Sequence, residues 1–247
     1  MKVIVYDYGV MGKKVCRAVK NDANLELAGV VSPVFDEQPD VPAYKSLKEV
    51  TGEVDGVIDF SHPNNLEDIL TFVKERKIPA VIATTGFSEE ALQAIREASK
   101  EVPIFQSYNT SFGVAMLNKM VKEFTKELYE HDFDVEILEA HHHRKIDAPS
   151  GTAKMLYNSA AQSIDGAHAI YDRESRHQAR ERNEIGIQSL RAGTIYGEHT
   201  VLYGGDDELI EIKHTALSRD IFAKGAVSAM NALASKEAGF YDLETLY

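Results

Sequence analysis

A single cysteine, Cys16, stands among 247 residues, so no intrachain disulfide can form and a disulfide-stapled extracellular scaffold is excluded. A chain of this length buries a sizeable core as one large domain or two modest ones without staples. No window approaches eighteen uninterrupted apolar residues, and Met1-Lys2-Val3-Ile4-Val5-Tyr6 reads as an immediate strand rather than a basic leader before an apolar stretch. The expectation is a cytoplasmic protein without membrane association. Positive charge is also scarce: 27 Lys and Arg face 39 Asp and Glu, for a formal net charge of −12. That balance opposes sequence-independent binding to nucleic acid. Repeats, low-complexity tracts and flexible linkers are absent. Any local cluster of cations in such a chain therefore calls for a reason.

The first hundred residues alternate short apolar runs with amphipathic ones. Strands are predicted over 2–8, 25–32, 57–60, 79–84 and 102–107, and helices over 12–21, 64–76 and 88–100. This alternation implies an α/β, Rossmann-like, doubly wound parallel sheet with helices on both faces. From about residue 112 the character changes. Phe112, Met116, Met120, Phe124 and Leu128 recur at four-residue spacing and predict a helix with one apolar face. A strand over 135–140, a helix from about 151 and a charged connection over 172–183 follow. Strands over 185–190, 198–203 and 208–213 have no helices between them, so antiparallel neighbours are expected there. A final small-residue helix over 221–235 suits packing back on the first domain. The organisation predicted is a dinucleotide-binding domain of residues 1–111 and 217–247, with an inserted α+β domain of residues 112–216 carrying a mostly antiparallel sheet.

The first strand runs through Asp7-Tyr8-Gly9-Val10-Met11-Gly12 into a helix, the place of a G-x-G-x-x-G dinucleotide fingerprint. Gly9 lets backbone approach a pyrophosphate and Gly12 lets helix and strand pack closely, but Asp7 replaces the first glycine. A plain strand-to-helix turn would use the same residues. The second strand ends at Ser32, where NAD-selective proteins place a carboxylate on the adenosine ribose. Without that carboxylate a 2′-phosphate is not repelled, and Lys13 or Lys14 is expected to meet it. Either NADPH or NADH should be accepted, with a mild lean to NADPH. Later strand ends carry Phe60-Ser61, Ala83-Thr84-Thr85-Gly86 and Ser107-Tyr108-Asn109-Thr110, small or amide-bearing residues that could bond a nicotinamide or ribose, or simply form turns and caps.

The segment Glu139-Ala140-His141-His142-His143-Arg144-Lys145-Ile146-Asp147-Ala148-Pro149-Ser150-Gly151-Thr152-Ala153 packs three histidines, an arginine and a lysine into five residues of an acidic chain. Crowded cations disfavour one another's charged state unless an anion compensates, so a dianionic ligand is the economical explanation. Ser150-Gly151-Thr152 opens a helix whose N-terminal N–H groups form an anion cradle, and a histidine beside it can move a proton. Zinc is the weaker reading, since adjacent histidines on an extended loop diverge and no H-E-x-x-H spacing exists. A solvated basic loop is the other alternative.

Over residues 139–153 the chain resembles the dihydrodipicolinate reductase family, whose signature is E-A-H-H-x-x-K-x-D-A-P-S-G-T-A. The N-terminal turn, the Ala83–Gly86 and Asn109 loops, Phe222-Ala-Lys-Gly-Ala and the Gly239-Phe240-Tyr241-Asp242 ending are similar too. The resemblance implies NAD(P)H-dependent reduction of a small cyclic imine dicarboxylate on the route to diaminopimelate and lysine. It implies His141 as the acid/base residue, Lys145 as proton donor or electrostatic partner, and His142, Gly151 and Thr152 as holders of the substrate carboxylates. Tyr8 to Met11, Ala83 to Thr85 and Ser107 to Thr110 would line the cofactor, and a homotetramer would assemble through the second domain's sheet. The departures, Tyr6-Asp7 for a small pair, Val10 for arginine and Ser32 for an acid, all lie at the nucleotide end. Two competing readings stand beside that implied function: a nucleotide-sensing regulator that kept the fold but lost catalysis, motivated by the altered Asp7 turn, and a reductase of another imine or keto acid.

Overall fold

The computed structural model describes residues 1–247 and divides into two compact units, Met1–Phe112 with Asp220–Tyr247, and Gly113–Arg219. The first unit begins β1 (Lys2–Tyr6), α1 (Val10–Lys20), β2 (Glu26–Val31), β3 (Ala43–Tyr44), β4 (Gly56–Asp59), α2 (Leu66–Arg76), β5 (Ala80–Ile82), α3 (Glu89–Ser99) and β6 (Pro103–Gln106). A long helix, α4 (Phe112–Glu130), leads into the second unit, with β7 (Asp134–His141), α5 (Gly151–Ala161), β8 (His168–Ile170), β9 (Glu184–Arg191), β10 (Glu198–Gly204) and β11 (Leu209–Thr215). The chain returns to the first unit as α6 (Asp220–Leu233), β12 (Gly239–Tyr241) and α7 (Leu243–Leu246).

In the first unit seven strands lie parallel in the order β12-β6-β5-β4-β1-β2-β3. Alternation along each strand divides the core between two faces. Ile4, Tyr6, Val57 and Ile82 face the layer of α2 and α3, where Ile69, Val73 and Ile95 are buried with them. α6 packs against α1, β4, β5 and β6. Its Ala223, Ala226, Val227, Ala229, Met230 and Leu233 are all buried, and each larger side chain so buried stabilises the unit by roughly 1.5–3 kcal/mol. The strands β3 and β12, only two and three residues long, escape a reading based on periodicity.

The second sheet is mixed, in the order β11-β10-β7-β9-β8. β10 pairs antiparallel with both β7 and β11. β9 instead lies parallel to β7, and β8 parallel to β9. The return connections are the physical reason: α5 carries the chain back to the end where β7 began before β8, and residues 171–183 carry it back again before β9, so both run in the direction of β7, while a short turn sends β10 to β7's other side. One face buries Val135, Ile137, Ile185, Ile187, Val201 and Tyr203 with Leu117 and Val121 of α4 and Leu156 and Ala160 of α5. Ser150 starts α5 by accepting the Ala153 N–H at 3.1 Å. No helix of the chain is long and apolar enough to cross a membrane.

Candidate active site

The residues expected to carry the chemistry fall into two groups, one in each unit. In the parallel sheet the strand order reverses between β1 and β4, and ligands bind outside the carboxyl ends of strands at such a switch point. Tyr8 to Met11 follow β1 there, and Phe60-Ser61 follow β4. Asp7 has φ of 120°, a conformation that favours glycine, and its Oδ1 accepts the Gly9 N–H at 3.0 Å. The aspartate thus holds the backbone of the missing glycine at a strain of order 1–3 kcal/mol. Gly12 has no substitute: a Cβ there would lie 2.1 Å from the Asp7 carbonyl oxygen. α1 starts after Gly9 with no side-chain cap and no acidic residue in its first turn, so its positive end remains available to a phosphate.

Met11, Phe60, Ser61, Ala83, Thr84 and Thr85 line one hollow of about 270 Å³ together with Tyr108, Thr110 and Phe222. Tyr8 borders a second, of about 230 Å³, beside Lys13, Arg17 and Lys20. Val10 is mostly exposed. Ser32 lines neither hollow; it is buried and donates its hydroxyl to the Val34 carbonyl at 2.6 Å. Ser107 and Asn109 shape their own loop, Ser107 Oγ donating to the Asn109 carbonyl at 2.6 Å and Asn109 Oδ1 accepting the Ser111 N–H at 2.9 Å. Nor are the two lysines expected to meet a 2′-phosphate uncommitted: Lys13 pairs with Glu37 at 3.1 Å, and Lys14 pairs with Asp220. Asp59, in the apolar end of β4, is buried, and burial pushes its carboxyl up to about 6 against the hydrogen bonds of Ser61. An uncapped helix N-terminus, a turn too tight for a side chain and a hydroxyl-lined hollow at the strand ends together fit a nicotinamide dinucleotide.

In the second unit, β7 ends at His141 and the cationic loop leads to Ser150 at the head of α5. His141 Nδ1 lies 2.6 Å from Glu139 Oε2. Arg191 grips both oxygens of the same carboxylate, at 2.8 and 2.7 Å, and the Ser150 N–H reaches Oε1 at 3.1 Å. Burial works to raise the Glu139 carboxyl, but Arg191, Ser189, His141 and Ser150 hold it down at about 2. His141 is driven below its ordinary value by burial, opposed by Glu139 and aided by Lys145 and Arg191. His142 is also lowered, by desolvation and by Arg144, Arg219 and Lys145. Lys145 Nζ holds both Asp147 oxygens at 2.9 Å. Gly151 opens α5 where a Cβ would meet nothing within 4 Å, and Thr152 follows it in a first turn without acidic residues.

His199 of β10 completes this cluster. Its ring lies 5.2 Å from that of His141, its Nε2 is 2.9 Å from Ser150 Oγ, and burial drives its pKa down to about 3. Glu139 and Ser150 lie inside the signature segment, yet nothing in their spacing discloses a shared network. Arg191 and His199 lie about 50 residues downstream with no motif around them; only the pairings of β9 and β10 with β7 bring them in.

Two family models match: "Dihydrodipicolinate reductase, N-terminus" over residues 1–110 and "Dihydrodipicolinate reductase, C-terminus" over 113–246. The 4-hydroxy-tetrahydrodipicolinate reductase of Exiguobacterium sibiricum is 49% identical over 247 residues, covering 100% of this chain and 96% of that protein. The enzyme of the same name from Staphylococcus saprophyticus is 40% identical, with 100% of both chains covered. A solved structure, dipicolinate-bound dihydrodipicolinate reductase from Paenisporosarcina sp. TG-14, shares the fold with a TM-score of 0.81 at 24% identity, over 98% of this chain and 97% of that one. On the two matched domains and the full-length likeness of these relatives, the chain belongs to the dihydrodipicolinate reductase family.

Proposed function

We propose that this protein is the NAD(P)H-dependent oxidoreductase that reduces 4-hydroxy-tetrahydrodipicolinate, by way of dihydrodipicolinate, to tetrahydrodipicolinate in diaminopimelate and lysine biosynthesis. The observation that carries this reading is the gathering, in one unit of an acidic protein, of His141, Lys145 and the positive head of α5 around a buried Glu139–Arg191 pair. A doubly negative ring answers the charge of that loop. In this reading His142 and the first-turn amides of Gly151 and Thr152 hold the carboxylates, which fixes the ring for reaction. Bound by the Gly9 turn and the strand ends of the first unit, a reduced nicotinamide supplies the hydride. Loss of the 4-hydroxyl as water gives dihydrodipicolinate, whose ring then gains the hydride at one carbon and a proton at a neighbouring one. His141 and Lys145 manage the proton, and the lowered affinity of His141 eases its release.

Both nicotinamide dinucleotides are accepted in this reading. Exposed ion pairs such as Lys13–Glu37 are worth only about 0–1 kcal/mol, so a 2′-phosphate can displace the glutamate. The homotetramer is carried as part of the same proposal. The second sheet's open face exposes Leu138 and Leu190, with Leu209 exposed at the edge strand, an apolar surface suited to a second copy.

The deciding experiment compares the wild-type chain with a His141→Ala, Lys145→Ala double variant. The wild type should oxidise NADPH and NADH only when substrate is present, and pyridine-2,6-dicarboxylate should compete. The variant should lose at least about 10³-fold in kcat while retaining nucleotide affinity. Undiminished turnover in the variant, or nucleotide binding without substrate-dependent oxidation in the wild type, would overturn the reading.

A further inference from the structure

Proton transfer by an imidazole depends on which nitrogen carries the proton and where the other points. Residues two apart on a strand share a face, so Glu139 and His141 of β7 stand side by side, and Arg191 of β9 is the register partner of His141. The Glu139 carboxylate is 1% exposed, and its donors include His141 Nδ1, two nitrogens of Arg191 and the Ser150 amide. An ionised carboxylate can only accept. The proton of neutral His141 must therefore sit on Nδ1, which leaves Nε2 bare. Opposite Nε2 stands Gly197, where even a Cβ would come within 3.1 Å. Glycine thus keeps that edge of the ring clear.

We propose that Glu139, clamped by Arg191, is the positioning residue for His141: it fixes the Nδ1–H tautomer and the ring plane so that Nε2 is the proton-exchanging atom. The inference rests on the functional reading above and adds to it the atom that works and the group that orients it. When Nε2 takes a proton, Glu139 supports the imidazolium; Arg191 shares the carboxylate and keeps the histidine from being locked as a cation. The other groups facing His141 cannot take over this task. On β10, His199 meets it ring edge to face and is engaged with Ser150. On the loop, Lys145 is a donor held by Asp147. His214 of β11 lies beyond His199 in the same row.

The test combines two-bond ¹H–¹⁵N spectra of the histidine rings in the full chain, assigned with His141→Gln, and the kinetics of Glu139→Gln and Glu139→Asp. Wild-type His141 should show a protonated Nδ1 and a bare Nε2 at neutral pH. Glu139→Gln should mix the tautomers and lower kcat by about a hundredfold. Affinity for pyridine-2,6-dicarboxylate and NADPH should change less than threefold, and the His141 limb of the pH–rate profile should move to lower pH because the anion supporting the cation is gone. Glu139→Asp should recover part of kcat. A bare Nδ1 in the wild type sinks the inference and needs no Glu139 variant, so a misfolded Glu139→Gln cannot shelter it; so does a folded Glu139→Gln with kcat within twofold of wild type. A wild type that never turns over the substrate defeats the functional reading instead, and the ring spectra stand apart from that outcome.

Discussion

Glu139, His199 and His214 form one row across the second sheet, paired in register from β7 through β10 to β11. His199 is buried, and its pKa of about 3 lies below the ordinary 6.5 mainly because burial penalises the cation. The unfolded chain therefore takes up a proton near pH 6.5 that the folded chain refuses, and stability falls as pH drops through that value. His199 contributes about 1.4 kcal/mol per pH unit in this window, or roughly 2–3 kcal/mol between pH 6.5 and 4.5. His141, His142 and His214, all lowered, act in the same sense. Glu139, held at about 2 against an ordinary 4.5, adds its loss only below pH 4.5. Urea unfolding at pH 7, 6 and 5 should show a steep decline in the wild type and a shallower one in His199→Gln; equal slopes would show that His199 is not the titrating group.

At the scale of elements, the turn from β1 into α1 and the head of α5 hold the two candidate sites. The first depends on Gly12 passing the Asp7 carbonyl. Gly12→Ala must push that backbone apart and should cost about 2–3 kcal/mol. The same displacement should weaken NADPH binding by tenfold or more, read by thermal melts and nucleotide fluorescence; an unchanged melt and affinity would mean the turn has slack. This turn was legible because a strand, two spaced glycines and an amphipathic helix are consecutive in the chain. The long elements were legible for the same reason, since apolar periodicity is a local property. The strands β3, β8 and β12 were not, because two or three residues carry no period and pair only when a neighbouring strand offers its edge. The direction of β9 was likewise hidden, since it depends on where the connection over residues 171–183 returns the chain after β8.

For the whole molecule, the first unit is closed by residues more than a hundred positions from its start. α6 buries six side chains on α1 and the sheet, and β12 pairs with β6. A chain ending at residue 219 should lose more than the usual 5–15 kcal/mol of domain stability, with loss of cooperative melting and of nucleotide binding; a truncated chain that still bound NADPH at wild-type affinity would refute this. The sequence by itself determined the family, the α/β class and the signature segment of residues 139–153, because a nucleotide turn, alternating elements and a contiguous signature are all written locally. It also disclosed the local crowding of cations at residues 141–145. Tertiary structure alone decided that Glu139 holds His141 with help from Arg191 and Ser150, that His199 joins them, and that Ser32, Lys13 and Lys14 are engaged within the protein. Hydrogen bonds and ion pairs depend on distance in space, and strand pairing brings together residues that sequence separation keeps apart.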